Sequence, residues 1–178
     1  MLKKLGWIVS GLQIATAVGI LLSQPAYEHQ FRVKIGDMAP DFTVREVDGA
    51  AYRLSDLRGR IVVLQFTASW CSVCREEMPH LEREVWRVWR DEGLLLIGID
   101  RDEPPETVRA FARQTGITYP LALDPGARIF EKYAEIDSGV TRNVVIDREG
   151  RIIFLTRLFD REEFDAMKAR IEQELKSD

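Results

Sequence analysis

Ile61-Val62-Val63-Leu64-Gln65-Phe66-Thr67-Ala68-Ser69-Trp70-Cys71-Ser72-Val73-Cys74-Arg75-Glu76-Glu77-Met78-Pro79 is the stretch that decides how this chain folds. Residues 61–66 are too continuously apolar for a half-exposed strand, so a central strand covered on both faces is expected. Beyond Cys74, the residues Met78, Leu81, Val85, Val88 and Trp89 recur at three- and four-residue steps, which predicts one face of a helix reaching about Glu92. Pro79 falls inside that helix and removes one backbone hydrogen bond, so two arms joined by a kink are expected. Cys71 and Cys74 stand at the strand-to-helix junction, and they are the only two cysteines in 178 residues.

Two cysteines at this spacing close a small disulfide when the first sits at a helix N-terminus. The unpaired amides and macrodipole of a helix start carry about half a positive charge, which favours a thiolate there. On that ground Cys71 is the attacking thiol of a thiol–disulfide exchange, and Cys74, one turn into the helix, is the resolving thiol. A zinc half-site is the competing use of such a pair, but only His29 and His80 are available as further ligands. No metal is expected, and no cofactor beyond the redox-active disulfide Cys71–Cys74.

Working outward, residues 41–45 and 51–54 flank Asp48-Gly49, the signal of a hairpin. Gly93 ends the long helix and residues 94–99 read as a second buried strand. Pro104-Pro105 open a helix with the apolar face Val108, Phe111 and Ala112, closed near Gly116. A short strand over 119–123, a brief helix over 126–133 and a hairpin of strands 143–146 and 152–156 follow. Asp160 starts the last helix with Glu163 in capping-box relation, and its face is Phe164, Met167, Ile171 and Leu175. The pattern predicts one α/β domain over 36–178, with a mixed central sheet, helices on both faces and an N-terminal β-hairpin extension.

A composition of 46% hydrophobic and 30% charged residues fits a soluble globular core. With a net charge of −4 and basic residues interleaved with acids, there is no basic footprint, and nucleic acid is excluded as a partner. The N-terminus reads differently. Lys3 and Lys4 are followed by no charged residue until Glu28, and residues 5–22 are apolar apart from a few Ser, Thr, Gln and Gly. Such a run can cross a hydrocarbon core of about 30 Å, and the paired lysines keep its start in the cytoplasm. Residues 1–22 are accordingly expected to anchor the chain in the cytoplasmic membrane, with 23–35 as a linker. Ala15-Thr16-Ala17 offers the alternative of a cleaved signal, but the apolar run continues past it. Both readings place the domain outside that membrane, where disulfides form.

Leu57-Arg58-Gly59-Arg60, followed by residues 66–79 with their W-C-x-x-C and the proline five residues later, resembles the TlpA/ResA oxidoreductases, and the similarity extends from about Gly36 to the last helix. The resemblance implies a thioredoxin-like fold and the reduction of disulfides in protein substrates, often apocytochromes c awaiting haem. It also implies a membrane electron donor that re-reduces the dithiol. Glu77 matches an acidic residue that family uses near the dithiol, and there it would accept the proton of Cys74. The competing reading is one more solvated helix acid beside Glu76 and Glu82. Six residues before Cys71, where thioredoxin itself carries a buried acid, this chain has Gln65, which cannot act as a base.

The resemblance makes Trp70, Ser72, Val73, Val140, Thr141 and Arg142 the loop residues that face a substrate. Here the chain departs from the family, because Thr141 occupies the position of a cis-proline. A cis bond before a non-proline costs about 3 kcal/mol, so Val140-Thr141 is expected to be trans. Thr141 and Arg142 are then expected to face the sulfur, with Arg142 favouring the thiolate; a surface-loop arginine is the alternative. That Thr–Arg pair also raises a peroxiredoxin-like peroxide reductase, although Thr67 lies four residues before Cys71, where that site needs three. A copper-delivery protein is a third reading, against which stands a two-residue spacing where three is required. His80 reads as a surface or packing residue. Of Trp86 and Trp89, one is expected in the core and the other partly covering it. The acidic run 100–106 reads as a solvated loop and helix start.

Overall fold

The computed structural model describes residues 30–177. The reading of residues 1–22 as an anchor, and most of the proposed linker, lie outside the described residues. Among the described residues no helix is long and apolar enough to cross a membrane.

The hairpin is formed by β1 (Thr43–Arg45) and β2 (Ala51–Arg53), paired antiparallel. The apolar run becomes β3 (Ile61–Thr67), and all seven of its residues are buried. Helix α1 (Ser72–Leu81) follows it, then a wider π turn over Glu82–Trp86 and the single turn α2 (Arg87–Trp89). Gly93, at φ 96°, takes the left-handed conformation that ends the helical run. Next come β4 (Leu94–Arg101), α3 (Pro105–Thr115), β5 (Leu121–Asp124) and α4 (Phe130–Tyr133). The chain closes with β6 (Arg142–Ile146), β7 (Ile152–Arg157) and α5 (Arg161–Lys176), whose N-cap Asp160 accepts from the Glu163 amide.

The five-stranded sheet has the order β5-β4-β3-β6-β7. β3, β4 and β5 run parallel, because each is joined to the next by a helical crossover, while β6 and β7 are antiparallel. The central place of β3 explains its unbroken apolar run. The hairpin lies along the β5 edge, where Glu46 bridges Ala122. Trp89 is buried, and Trp86 is half-buried with its indole N–H donating to Thr118 Oγ1.

Helix α1 continues through Pro79 to Leu81, and the irregularity in its path is the π turn that follows. There the buried Glu82 accepts from the Thr118 amide and hydroxyl and from Arg87 Nε, so the helix widens where a carboxylate must be satisfied. The acidic run 100–106 is not uniformly solvated. Asp100 is fully buried, because it belongs to β4 and pairs with Thr67 on one side and Leu123 on the other.

The alternation of β3 sorts the two faces. Gln65 and Thr67 point to α1, reaching Glu77 and Met78 Sδ. Phe66 points the other way, with its ring centroid 5.5 Å from that of Phe130 on α4. Residues paired across adjacent strands share a face. Gln65 pairs with Gly98 and Asn143, and Thr67 with Asp100, so these all lie under α1.

Candidate active site

Cys71 is the N-cap of α1, with extended backbone angles, and its Sγ accepts from the Cys74 amide at 3.1 Å. This is the site a helix start offers to an anion: a free amide pointing at the sulfur and the positive end of the macrodipole behind it. Cys71 and Cys74 are joined as a disulfide with their Cα atoms 5.3 Å apart. Cys71 is 8% exposed and Cys74 is fully buried, which is the asymmetry an attacking and a resolving thiol require. Trp70, 64% exposed, forms a lip beside Cys71; Ser72 is exposed and Val73 half-buried.

Glu77 stands one turn beyond Cys74 on the buried face of α1, with Met78 and Leu81, while its neighbours Arg75 and Glu76 are exposed. It is therefore not one more solvated acid. Gln65 Nε2 donates to one of its oxygens at 3.1 Å and Asn143 Nδ2 to the other at 2.6 Å. Gln65 is itself oriented by the Tyr119 hydroxyl, which donates to its Oε1 at 2.7 Å, and Asn143 also donates to Thr156 Oγ1 at 2.9 Å. Burial raises the Glu77 carboxyl to about 7; the two amide donors hold it lower than burial alone would. A carboxyl at that value, in the interior beneath the dithiol, can take up and return a proton near neutrality.

The sequence reading did not find Asn143 and Tyr119. Asn143 was legible in principle, as an amide leading into the apolar run Val144-Val145-Ile146, but nothing in the spacing tied it to Glu77. Gln65 was recognised only as a residue that cannot act as a base. In the fold its amide donates to the buried Glu77 carboxyl.

Thr141 does face the sulfurs: its Oγ1 is 3.0 Å from Cys71 Sγ and 3.2 Å from Cys74 Sγ. No peptide bond among the described residues is cis, so Val140-Thr141 is trans. Arg142 does the opposite of what was expected. One residue further along an extended chain, it points to the other face of the sheet, where its guanidinium lies 4.6 Å from the Phe31 ring centroid and donates to Gly139 O and Gln30 Oε1. It is fully buried, not a surface-loop residue, and burial together with Arg157 and Arg101 lowers it to about 10. None of its recorded contacts is with a sulfur. Val140 is buried too and offers no side-chain surface to a partner. The peroxide-reducing reading needs threonine and arginine together at the thiolate, and alternation along the chain separates them. His80 stacks on Phe159 and hydrogen-bonds Glu84, as a packing residue does.

The chain matches the AhpC/TSA family over residues 35–155. It is 32% identical over 142 residues to the thiol-disulfide oxidoreductase ResA of Bacillus cereus, covering 80% of each chain. A solution structure from Bacteroides thetaiotaomicron, described as a candidate protein disulfide isomerase, is 58% identical with a TM-score of 0.81, covering 83% of this chain and 94% of that one. A thiol:disulfide interchange protein of the thioredoxin family from Chlorobium tepidum is 26% identical with a TM-score of 0.65, covering 80% and 99%. A thioredoxin-like fold, a disulfide at a helix N-terminus and these relatives converge: the chain belongs to the AhpC/TSA family and is a ResA-like thiol-disulfide oxidoreductase.

Proposed function

We propose that this protein reduces disulfides of protein substrates outside the cytoplasmic membrane, with Cys71 as nucleophile, Cys74 as resolving thiol and Glu77 as the base that serves Cys74. The observation that carries this reading is the buried Glu77, held by Gln65 and Asn143 on the same face of α1 as Cys74. In the reduced protein the Cys71 thiolate attacks one sulfur of a substrate disulfide, and the other sulfur leaves as a thiolate. Glu77 then takes the proton of Cys74, whose thiolate attacks Cys71 Sγ and expels the second substrate sulfur. The dithiol has given two electrons to the substrate and is left as the Cys71–Cys74 disulfide.

The exposed Trp70 and the loop of Ser72 and Val73 would meet the substrate chain, with Thr141 behind the sulfurs. A membrane electron donor would restore the dithiol, and the apolar residues 5–22 would hold the domain near it on the envelope side. The names of the relatives support disulfide exchange; apocytochromes c are the substrate class that fits a ResA-like reductant. The test is to express Cys74→Ser in its own cell envelope and identify the proteins captured as mixed disulfides on Cys71. Capture of cysteine-containing envelope proteins supports the reading. No capture by Cys74→Ser alongside capture by Cys71→Ser would reverse the assignment of the thiols.

A further inference from the structure

Leu158, in the connection between β7 and α5, has a backbone that leucine rarely adopts, with φ at 63°. Left-handed backbone suits glycine, asparagine or aspartate, and a bulky side chain there is strained. The other non-glycine residues with positive φ among those described are Asp102, of a tolerant type, and Ala127, whose side chain is a single methyl. The turn at Leu158 is held from both ends. Its amide donates to the Thr141 carbonyl at 3.1 Å. The next residue, Phe159, stacks on His80 with ring centroids 4.9 Å apart and meets Phe164 edge-on at 5.5 Å.

Neither hold uses the Leu158 side chain. Asparagine would supply the same amide and make the same turn without the strain, and at 42% exposure much of the leucine side chain lies in water. What sets the position apart is its neighbour. The bond to Thr141 carries the β6–β7 ladder one step past the pair Arg142–Arg157, and facing residues of antiparallel strands lie about 5 Å apart between Cα atoms. Thr141 is the residue whose hydroxyl lies against both sulfurs. Leu158 is thus the strand neighbour of Thr141, as the exposed Trp70 is the chain neighbour of Cys71. Two large exposed apolar side chains border the dithiol.

We propose that Leu158 is a specificity-determining residue: with Trp70 it makes an apolar rim that favours substrate disulfides flanked by aliphatic or aromatic side chains. The occupant of this rim is the segment of a substrate protein that carries the reacting cysteine. Once that cysteine is bonded to Cys71 Sγ it lies beside Thr141, and the residues next to it in the substrate chain come within reach of Leu158. Their apolar surface and that of Leu158 then leave water together, which favours the adduct. Strain at a residue fixed by its surroundings is a recurrent feature of ligand-contacting sites, and here it accompanies an apolar group set at the edge of the reacting sulfurs.

This role rests on the disulfide-exchange reading for its substrate, and the experiment keeps the two apart. Cys74→Ser protein is brought to equilibrium with two short cysteine peptides, one with leucine on each side of the cysteine and one with serine, both supplied as symmetrical disulfides. The Cys71 thiolate attacks one sulfur, a Cys71–peptide disulfide forms, and the second peptide leaves as a thiolate. Mass spectrometry reads the ratio of the two adducts. The leucine peptide should be preferred, and adding Leu158→Asn should reduce that preference by about five-fold, the order expected for apolar contact at one partly exposed leucine. Leu158→Met, which keeps an apolar side chain, should retain it. A preference that survives Leu158→Asn, or is lost equally in Leu158→Met, overturns the proposal. Asparagine tolerates the left-handed backbone, so Leu158→Asn should melt no lower than the parent; a clearly lower melting point assigns the side chain to packing and also overturns it. The adduct ratio needs only a reactive Cys71. A protein that reduced no protein disulfide would lose its proposed function, while the ratio would still decide Leu158.

Discussion

The Thr141 hydroxyl lies 3.0 Å from Cys71 Sγ, where the family pattern would place a proline ring. A hydroxyl there can donate to the Cys71 thiolate, and a hydrogen bond to a charged group contributes about 1.5–3 kcal/mol, equivalent to about one to two pKa units. Thr141→Val should raise the Cys71 pKa by about that amount, read from thiolate absorbance in the reduced protein. Because thiolate stabilisation favours the reduced form, the same variant should be the stronger reductant, and Thr141→Ser should restore both values. A Cys71 pKa unmoved by Thr141→Val would remove the hydroxyl from the mechanism.

Glu77 is charged only above about 7, so its service as a base should grow as pH rises through that value. Glu77→Gln should slow resolution of the mixed disulfide by about 100-fold, within the usual range for positioned proton transfer, and abolish the inflection near neutrality. Stopped-flow release of a fluorescent thiol from the Cys71 adduct reads both.

The same carboxyl makes a statement about stability. Its value rises from 4.5 to about 7 on folding, so between those values the folded state binds more protons than the unfolded chain. Stability of the oxidised protein should therefore fall as pH rises across that window, by about 3 kcal/mol from this group, and level off above it. Urea unfolding at several pH values should show a shallower decline in Glu77→Gln. A parent protein that gained stability over the window would contradict the burial of this acid.

Arg142 lies across the sheet from the sulfurs, with one guanidinium nitrogen lacking any hydrogen-bond partner. Arg142→Met should leave the Cys71 pKa where it is, while shifting stability by about 1 kcal/mol in either direction as a desolvated cation is exchanged for apolar volume and two acceptors lose a donor. A marked rise of the Cys71 pKa in this variant would return Arg142 to the site.

Gly98 allows β5 to approach the Gln65–Glu77 network. A Cβ built there would fall 2.2 Å from Leu121 Cδ2 and 3.7 Å from Gln65 Oε1. Gly98→Ala should cost about 1–3 kcal/mol by overpacking against the Leu121 side chain, measured by denaturant unfolding.

Much of the molecule was legible before its tertiary structure. The unbroken apolar run 61–66 meant a strand covered on both faces, the three- and four-residue recurrence after Cys74 meant a helix, and Cys71 at their junction meant a cysteine at a helix start. These follow from local physics: backbone geometry sets the periods, and a helix start carries its charge wherever it occurs. Residues 100–106 misled because a charged composition suggests water, whereas Asp100 is carried into the interior by the strand it belongs to.

What the chain alone could not decide was which side of the sheet each polar residue takes and which distant groups it meets there. Side chains on a strand alternate, so a shift of one residue separates Thr141 at the sulfurs from Arg142 under Phe31. The direction depends on strand register, and register is set by long-range pairing: Gln65 opposite Asn143 and Thr67 opposite Asp100. The sequence by itself determined the fold class and the dithiol. Only the tertiary structure decided that Glu77 is buried and held by Gln65 and Asn143, that Thr141 and not Arg142 touches the sulfurs, and that Asp100 lies in the interior. Contacts between residues distant in sequence exist only once the strands are paired.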